Sequence, residues 1–332
     1  MKNSICFLVL LLSLSFFTSV GLAQNRERFG ISAKAGGINA LVGRVMVTRQ
    51  GQSAQLLTSS DNLTTGDVVT TGSMSHVEVL LNPGSYLRVG ENSEFEFEDS
   101  SLDNLRLKLV SGSAIVEATG FSEMKVQIYV NTSQANFTII RSGVYRINAG
   151  PNFAELAVRK GRATFGPNRT DLVKGGNKVV FNNGLMARAK VEKGKDTFDV
   201  WSKQRAELLA RANQRLSSRV FNGYISTFSG WDSHFWGRRR TGLWTYNPRV
   251  GCYTFLPFYY GWSSPYGHYY GNYLPGGGCC NGSNRNYPTI TNNQTPGGGS
   301  GGGGVTPGGG GVTPGGGGTT PRPGGDPTPR PG

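Results

Sequence analysis

Six short runs between Gly66 and Gly166 place apolar and polar residues on alternate positions, and each is closed by a turn rich in Gly, Asn or Ser. They are His76–Leu81, Ser85–Val89, Glu94–Glu98, Leu105–Leu109, Lys125–Val130 and Phe137–Ile140. Period-two alternation sets Phe95 and Phe97 on one face of a strand and Glu94, Glu96 and Glu98 on the other, as a half-buried strand requires. Between runs the turn chemistry is specific: Asn82-Pro83-Gly84 couples a fixed φ to a permissive glycine. No run in this region keeps a 3.6-residue period for more than two turns, which disfavours βαβ units and a doubly wound parallel sheet. The chain therefore reads as mainly β, a short-strand solenoid or a sandwich-like domain, and the near-equal turn spacing favours stacked coils.

Composition shifts divide the rest. Lys2, the apolar run Ile5–Val20 and the small residues Gly21-Leu22-Ala23 form a secretory signal over residues 1–23, cleaved after Ala23. The run is shorter than the roughly 20 apolar residues that span a bilayer, and no second apolar segment follows it. A polar lead-in (24–40) precedes the β domain (41–185), whose first strand signal is Leu41–Thr48. From Asp196 the period changes: Phe198, Trp201, Leu208, Ala212 and Leu216 fall on one side of an amphipathic helix (196–219), with Asp196 as N-cap and Asp199 in the capping-box position. An aromatic, basic, Cys-containing segment (221–280) follows, then a Gly/Pro/Thr-rich tail (281–332) whose seven-residue repeat buries no core and is expected to be disordered.

The formal charge of +14 directs an exported chain toward anionic partners such as acidic glycans, wall polymers or lipid head groups, ahead of nucleic acid. Arg238, Arg239 and Arg240 beside Trp236 and Trp244 are the candidate contacts to such a polymer, since rings stack on sugars while guanidiniums bind anions. The alternative is that these rings fill a small Gly-rich subdomain or pack onto the β domain while the arginines are merely solvated. Cys252, Cys279 and Cys280 lie outside the β region, and Cys252 is expected to pair with Cys279 or Cys280 in an oxidising compartment.

Catalytic signals are weak. The histidines, His76, His234 and His268, are too widely spaced for a metal helix or a recognisable triad. Gly298–Gly302 matches a nucleophile elbow only by composition. Glu94, Glu96, Glu98, Asp99 and Asp103 form an acidic cluster without Ca²⁺-loop spacing, which a solvated strand face opposed by Arg106 and Lys108 explains. Neither a cofactor nor a metal site is expected.

The ordered phrases Gly66-Asp67-Val68-Val69-Thr70-Thr71-Gly72-Ser73, Glu78–Leu81, Pro83-Gly84-Ser85, Leu87–Ser93, Leu109–Ala114, Ile140–Tyr145 and Val158–Gly161 resemble the periplasmic FecR-like domain. The resemblance covers roughly Gly43 to Phe181. Full-length members carry a cytoplasmic segment that contacts a sigma factor, a membrane span, and this β domain reporting on an outer-membrane transporter. Without a matching cytoplasmic segment, the resemblance implies an exported, non-enzymatic envelope sensor or scaffold, periplasmic or at the cell surface. The alternatives are a module binding acidic wall polymer or polysaccharide, and an accessory partner in sigma/anti-sigma signalling.

Overall fold

Branched and aromatic residues alternating with polar ones become strands wherever one face can be buried. A computed structural model describes residues 30–31, 35–120, 126–166, 168, 170–192, 194, 196–216, 242–257 and 261–271. The expected signal peptide, the tail, and Trp236, Arg238, Arg239, Arg240, Cys279 and Cys280 lie outside the described residues. In chain order the strands begin β1 (Gly30–Ile31), β2 (Ile38–Val42), β3 (Val45–Thr48), β4 (Gln55–Leu56), β5 (Val68–Thr71), β6 (His76–Leu80), β7 (Tyr86–Val89) and β8 (Glu94–Asp99). They continue with β9 (Arg106–Ala118), β10 (Ile128–Asn131), β11 (Asn136–Ile139), β12 (Gly143–Gly150), β13 (Phe153–Lys160), β14 (Arg162–Phe165), β15 (Asp171–Lys174), β16 (Asn177–Asn182) and β17 (Leu185–Lys190). Helix α1 (Thr197–Gln214) precedes the hairpin of β18 (Gly242–Asn247) and β19 (Cys252–Pro257).

Strands β2 to β17 form one hydrogen-bonded set folded into two facing sheets. Sheet I runs β4-β3-β5-β8-β9-β10-β11-β14-β15, and sheet II runs β2-β6-β7-β9-β12-β13-β16-β17. Every neighbouring pair is antiparallel except β9 with β10. The first half of β9 pairs with β8 and β10 in sheet I, and its second half pairs with β7 and β12 in sheet II. The crossing point is Gly112, at φ +87°, where a Cβ would sit 2.1 Å from the Ser93 hydroxyl oxygen. A side chain fits neither that backbone nor that space. Hairpins then alternate between layers, β10–β11 on sheet I, β12–β13 on sheet II, β14–β15 on sheet I and β16–β17 on sheet II. Two packed sheets, as in a sandwich, are thus combined with the stepwise advance of a solenoid.

One core lies between the sheets. Val77, Val79, Leu87, Val89, Val116, Ile147 and Leu156 of sheet II meet Val69, Phe95, Phe97, Leu107, Ile128, Phe137 and Ile139 of sheet I. The rings of Phe137 and Phe165 contact half-buried Phe181 at centroid distances of 6.1 and 5.4 Å. Phe95 and Phe97 are buried as the alternation predicts, and Lys108 Nζ answers Glu96 across the strands at 3.1 Å. Two strands exceed their sequence signals. The run 105–109 continues through Gly112 to Ala118, and β17 follows the expected domain end at 185, because Ala and Lys residues exposed on both faces give no burial pattern.

Sheet II is also covered on its outer face. Leu80 and Tyr86 of the sheet, Leu209 and Ala210 of α1, Trp244, Cys252 and Phe255 of the hairpin, and Trp262 and Tyr270 beyond it form a second core. The helix begins where predicted, with the Asp196 carboxylate accepting a hydrogen bond from the Asp199 N–H at 2.9 Å. Its packing face differs in part from the expected one. Phe198 and Ala212 of that face are buried and Trp201 packs beside Phe198, but Leu208 is 41% exposed and Ser202, Ala206, Leu209, Ala210 and Asn213 are buried in addition, because the surface beneath α1 is charged as well as apolar. Residues 217–219 of the expected helix lie outside the described residues. Among the described residues no helix is long and apolar enough to cross a membrane.

Candidate functional site

Strands β6 and β7 and the second half of β9 each set one charge between apolar residues: Val77-Glu78-Val79, Leu87-Arg88-Val89 and Val116-Glu117-Ala118. Alternation turns the valines and leucine into the core and the charges toward α1. Register makes Glu78 and Arg88 direct cross-strand partners, with Glu117 one strand further on opposite Tyr86. All three side chains have no solvent exposure.

Burial without a partner would be costly for each charge, and the geometry supplies the partners. Arg88 Nε donates to Glu78 Oε2 at 2.7 Å, and Arg88 Nη1 donates to Glu117 Oε2 at 2.7 Å. Arg88 Nη1 also donates to Ser202 Oγ of α1 at 3.0 Å. Glu78 Oε1 accepts from Arg205 Nη2 at 2.7 Å and from Asn39 Nδ2 at 2.8 Å. The second oxygen of Glu117 accepts from the Ser264 hydroxyl, and Ser202 shares a hydrogen bond with the Tyr266 hydroxyl at 2.7 Å. Two carboxylates and two guanidiniums therefore balance, with α1 and the segment at Ser264 each holding at least one of the strand charges. Backbone contacts fasten the rim: Asn39 exchanges hydrogen bonds with the main chain of Tyr253, Asn213 Nδ2 donates to Tyr270 O at 2.7 Å, and Asn247 Nδ2 donates to Ala212 O at 3.0 Å.

Burial by itself would raise the Glu78 carboxyl, but the neighbouring guanidiniums of Arg205 and Arg88 more than offset it and hold the group at about 2. Burial likewise works against the charged form of Arg88, and Glu117 and Glu78 reverse this to raise it. Glu78 thus stays ionised throughout the neutral range and has no water-accessible face from which to exchange a proton with a substrate. Its ordinary value is 4.5 and its folded value lies below that, so its contribution to stability is complete above pH 4.5 and is lost as pH falls toward about 2. Acid titration followed by near-ultraviolet circular dichroism is expected to show stability declining over that interval, with Glu78→Gln reducing the dependence. An unchanged acid midpoint in that variant would contradict the assignment.

A second ionic group ties the start of the helix to sheet II. Arg146 Nη1 reaches Asp196 at 2.5 Å and Asp199 at 3.1 Å, and Arg159 pairs with Asp199. These residues, with Glu155, Lys178 and Glu192, line an open cleft of about 480 Å³ whose charges are largely spent on one another.

The region that bears this face matches a known family. Residues 67–164 fit the family described as FecR protein. The chain carries a FecR domain. Two crystal structures of a provisionally assigned anti-sigma factor from Parabacteroides distasonis resemble it, at 16% and 15% identity and a TM-score of 0.33 in both cases. The matches cover 43% and 42% of this chain, which spans 64% of the length of those chains. No curated protein matches the chain significantly.

Of the residues selected from sequence as polymer contacts, only Trp244 falls within the described region. It is fully buried against Tyr86 and Phe255, at centroid distances of 5.0 and 6.0 Å, so it braces the FecR domain and offers no ring to a polymer. This corrects its expected surface role and matches the packing alternative. Cys252 is a buried thiol raised by burial, with Arg205 Nη2 at 3.8 Å, while Cys279 and Cys280 lie outside the described residues. The Glu78, Arg88, Glu117 and Arg205 group was missed from sequence. Its signal was a lone charge inside near-continuous apolar strands, which marks a sheet covered on both faces.

Proposed function

We propose that the chain acts outside the cytoplasm as a non-enzymatic sensor or scaffold of the cell envelope, with its FecR domain making the contacts. The observation that carries this reading is the use of the FecR domain's buried charges. Glu78, Arg88 and Glu117 hold Arg205 and Ser202 of the chain's own helix and Ser264 beyond the hairpin, and face no solvent cleft. A sheet covered on both faces suits a platform better than a reaction centre, and the signal-like segment 1–23 supports an envelope location for it. Fractionation with N-terminal sequencing is expected to find an envelope-associated chain beginning at Gln24. A chain retaining Met1 in the cytoplasm would overturn the localisation, and turnover of peptidoglycan or another glycan that survives repurification would overturn the non-enzymatic assignment.

The net charge of +14 supports a second reading, a module that holds acidic wall polymer through Arg238, Arg239 and Arg240. Salt-sensitive retention on envelope polysaccharide that is lost when these three arginines become alanine would support it. Substitution in the full chain is the suitable test, because truncation before α1 uncovers Glu78, Arg88 and Glu117 and changes the charge of the whole surface. Accessory action in sigma/anti-sigma signalling is a narrower form of the sensor reading, supported by the FecR match.

A further inference from the structure

Sheet II ends at β17 and sheet I ends at β15, and the two edges flank an open groove of about 540 Å³. Its floor includes Leu172 and buried Val173, and its rim carries Lys174, Lys178, Arg188 and Lys190. Strand β17 pairs with β16 on one side, and among the described residues no strand pairs with its other side. All six of its residues are exposed, including Leu185 at 79% and Met186 at 50%.

The direction of the free hydrogen-bonding groups follows from one contact. Val191 N–H donates inward to Gly176 O at 3.0 Å. Alternation then points the N–H and C=O groups of Met186, Arg188 and Lys190 outward along the free edge. Side chains alternate too. Met186 and Arg188 lie opposite Phe181 and Val179 and share their face, which leaves Leu185, Ala187 and Ala189 on the other face. Arg188 spans the groove, with Nη1 donating to Leu172 O at 3.0 Å and its guanidinium 5.2 Å from the Phe165 ring centroid.

We propose that this edge receives an extended acidic polypeptide as an added strand. A row of alternating unpaired N–H and C=O groups matches the repeat of an extended peptide backbone. Among the described residues neither Lys174 nor Lys190 makes an ion pair, Lys190 donates to the neutral Asn177 side chain, and Arg188 is 3.7 Å from exposed Asp171. A strand alternating acidic and apolar residues would set its carboxylates against Lys174, Arg188 and Lys190, and its apolar side chains beside Leu185, Ala187 and Ala189. The same cations repel a second copy of β17, so the edge discriminates against self-pairing while accepting the opposite charge. This inference rests on the scaffold reading and names the chemistry of one partner.

The test is fluorescence anisotropy of the full chain with a labelled eight-residue Glu-Val alternating peptide. Saturable, salt-sensitive binding is expected, weakened about tenfold by Lys190→Glu and abolished when alternate peptide nitrogens are methylated. The Lys190→Glu chain should keep the wild-type circular dichroism spectrum. Absence of saturable binding overturns the proposal, as does equal binding of the methylated peptide. Equally tight competition by polygalacturonate would assign the groove to polyanions and overturn strand addition. A β17-mediated dimer that the peptide does not dissociate, detected by sedimentation, would also overturn it. These failures leave the envelope localisation untouched, and a cytoplasmic chain would leave the peptide measurement untouched.

Discussion

Arg88→Ala is expected to cost about 3–5 kcal/mol of folding stability, because it strands two carboxylates, Glu78 and Glu117, in a region without solvent exposure. Arg205 still reaches Glu78, but Glu117 keeps only the Ser264 hydroxyl among the contacts described. Arg88→Lys should recover little, since one ammonium cannot reproduce a fork that engages both carboxylates and Ser202. The decisive comparison is the triple variant Glu78→Leu, Arg88→Met, Glu117→Leu, which removes all three charges and should be far more stable than Arg88→Ala alone. Denaturant unfolding measures both. An Arg88→Ala chain within 1 kcal/mol of the wild type, on the scale of about 1 kcal/mol for surface pairs, would show that water reaches this face.

Trp244→Ala should be of similar size, about 3–5 kcal/mol, through a different mechanism. Trp244 is the largest fully buried side chain among the described residues and stands between Tyr86 of sheet II and Phe255 of the hairpin. Removing it leaves a void beneath the covering segments without disturbing the core between the sheets. The expected result is therefore localised: amide exchange should rise in α1 and β18–β19, while Val79, Phe95 and Phe137 remain protected. Uniform loss of protection would mean that cover and FecR domain unfold as one unit.

The sandwich core was legible because its residues obey one rule at a time. Phe95 and Phe97 alternate with Glu94, Glu96 and Glu98, and that alternation is realised in β8. The outer face of sheet II was harder because two rules overlap there. Leu80 and Tyr86 are apolar while Glu78, Arg88 and Glu117 are charged, and all five are buried by segments far along the chain. A charge at a period-two position normally denotes solvent, so nothing marked this face as one that α1 would cover. Of the face expected from helical spacing, Phe198 and Ala212 are buried and Leu208 is exposed, while Ser202, Ala206 and Leu209 join the contact. The Asp196 cap was legible because capping is a local interaction, and the partners of Arg88 were not because they lie 10, 29 and 114 residues away.

The long reach of those contacts bears on the order in which the molecule is finished. Asn39 is joined to Tyr253 across 214 residues and Glu117 to Ser264 across 147. A chain made from its N-terminus can assemble both sheets well before α1 and the hairpin emerge. Until they arrive, the outer face of sheet II holds an ionised triad in water, where it is well hydrated and soluble. The last segments must strip that water away, so maturation should end in a slow step of high contact order. The charges that lock the finished protein would thus first keep its half-made form from aggregating, a service an apolar face of the same area would not provide.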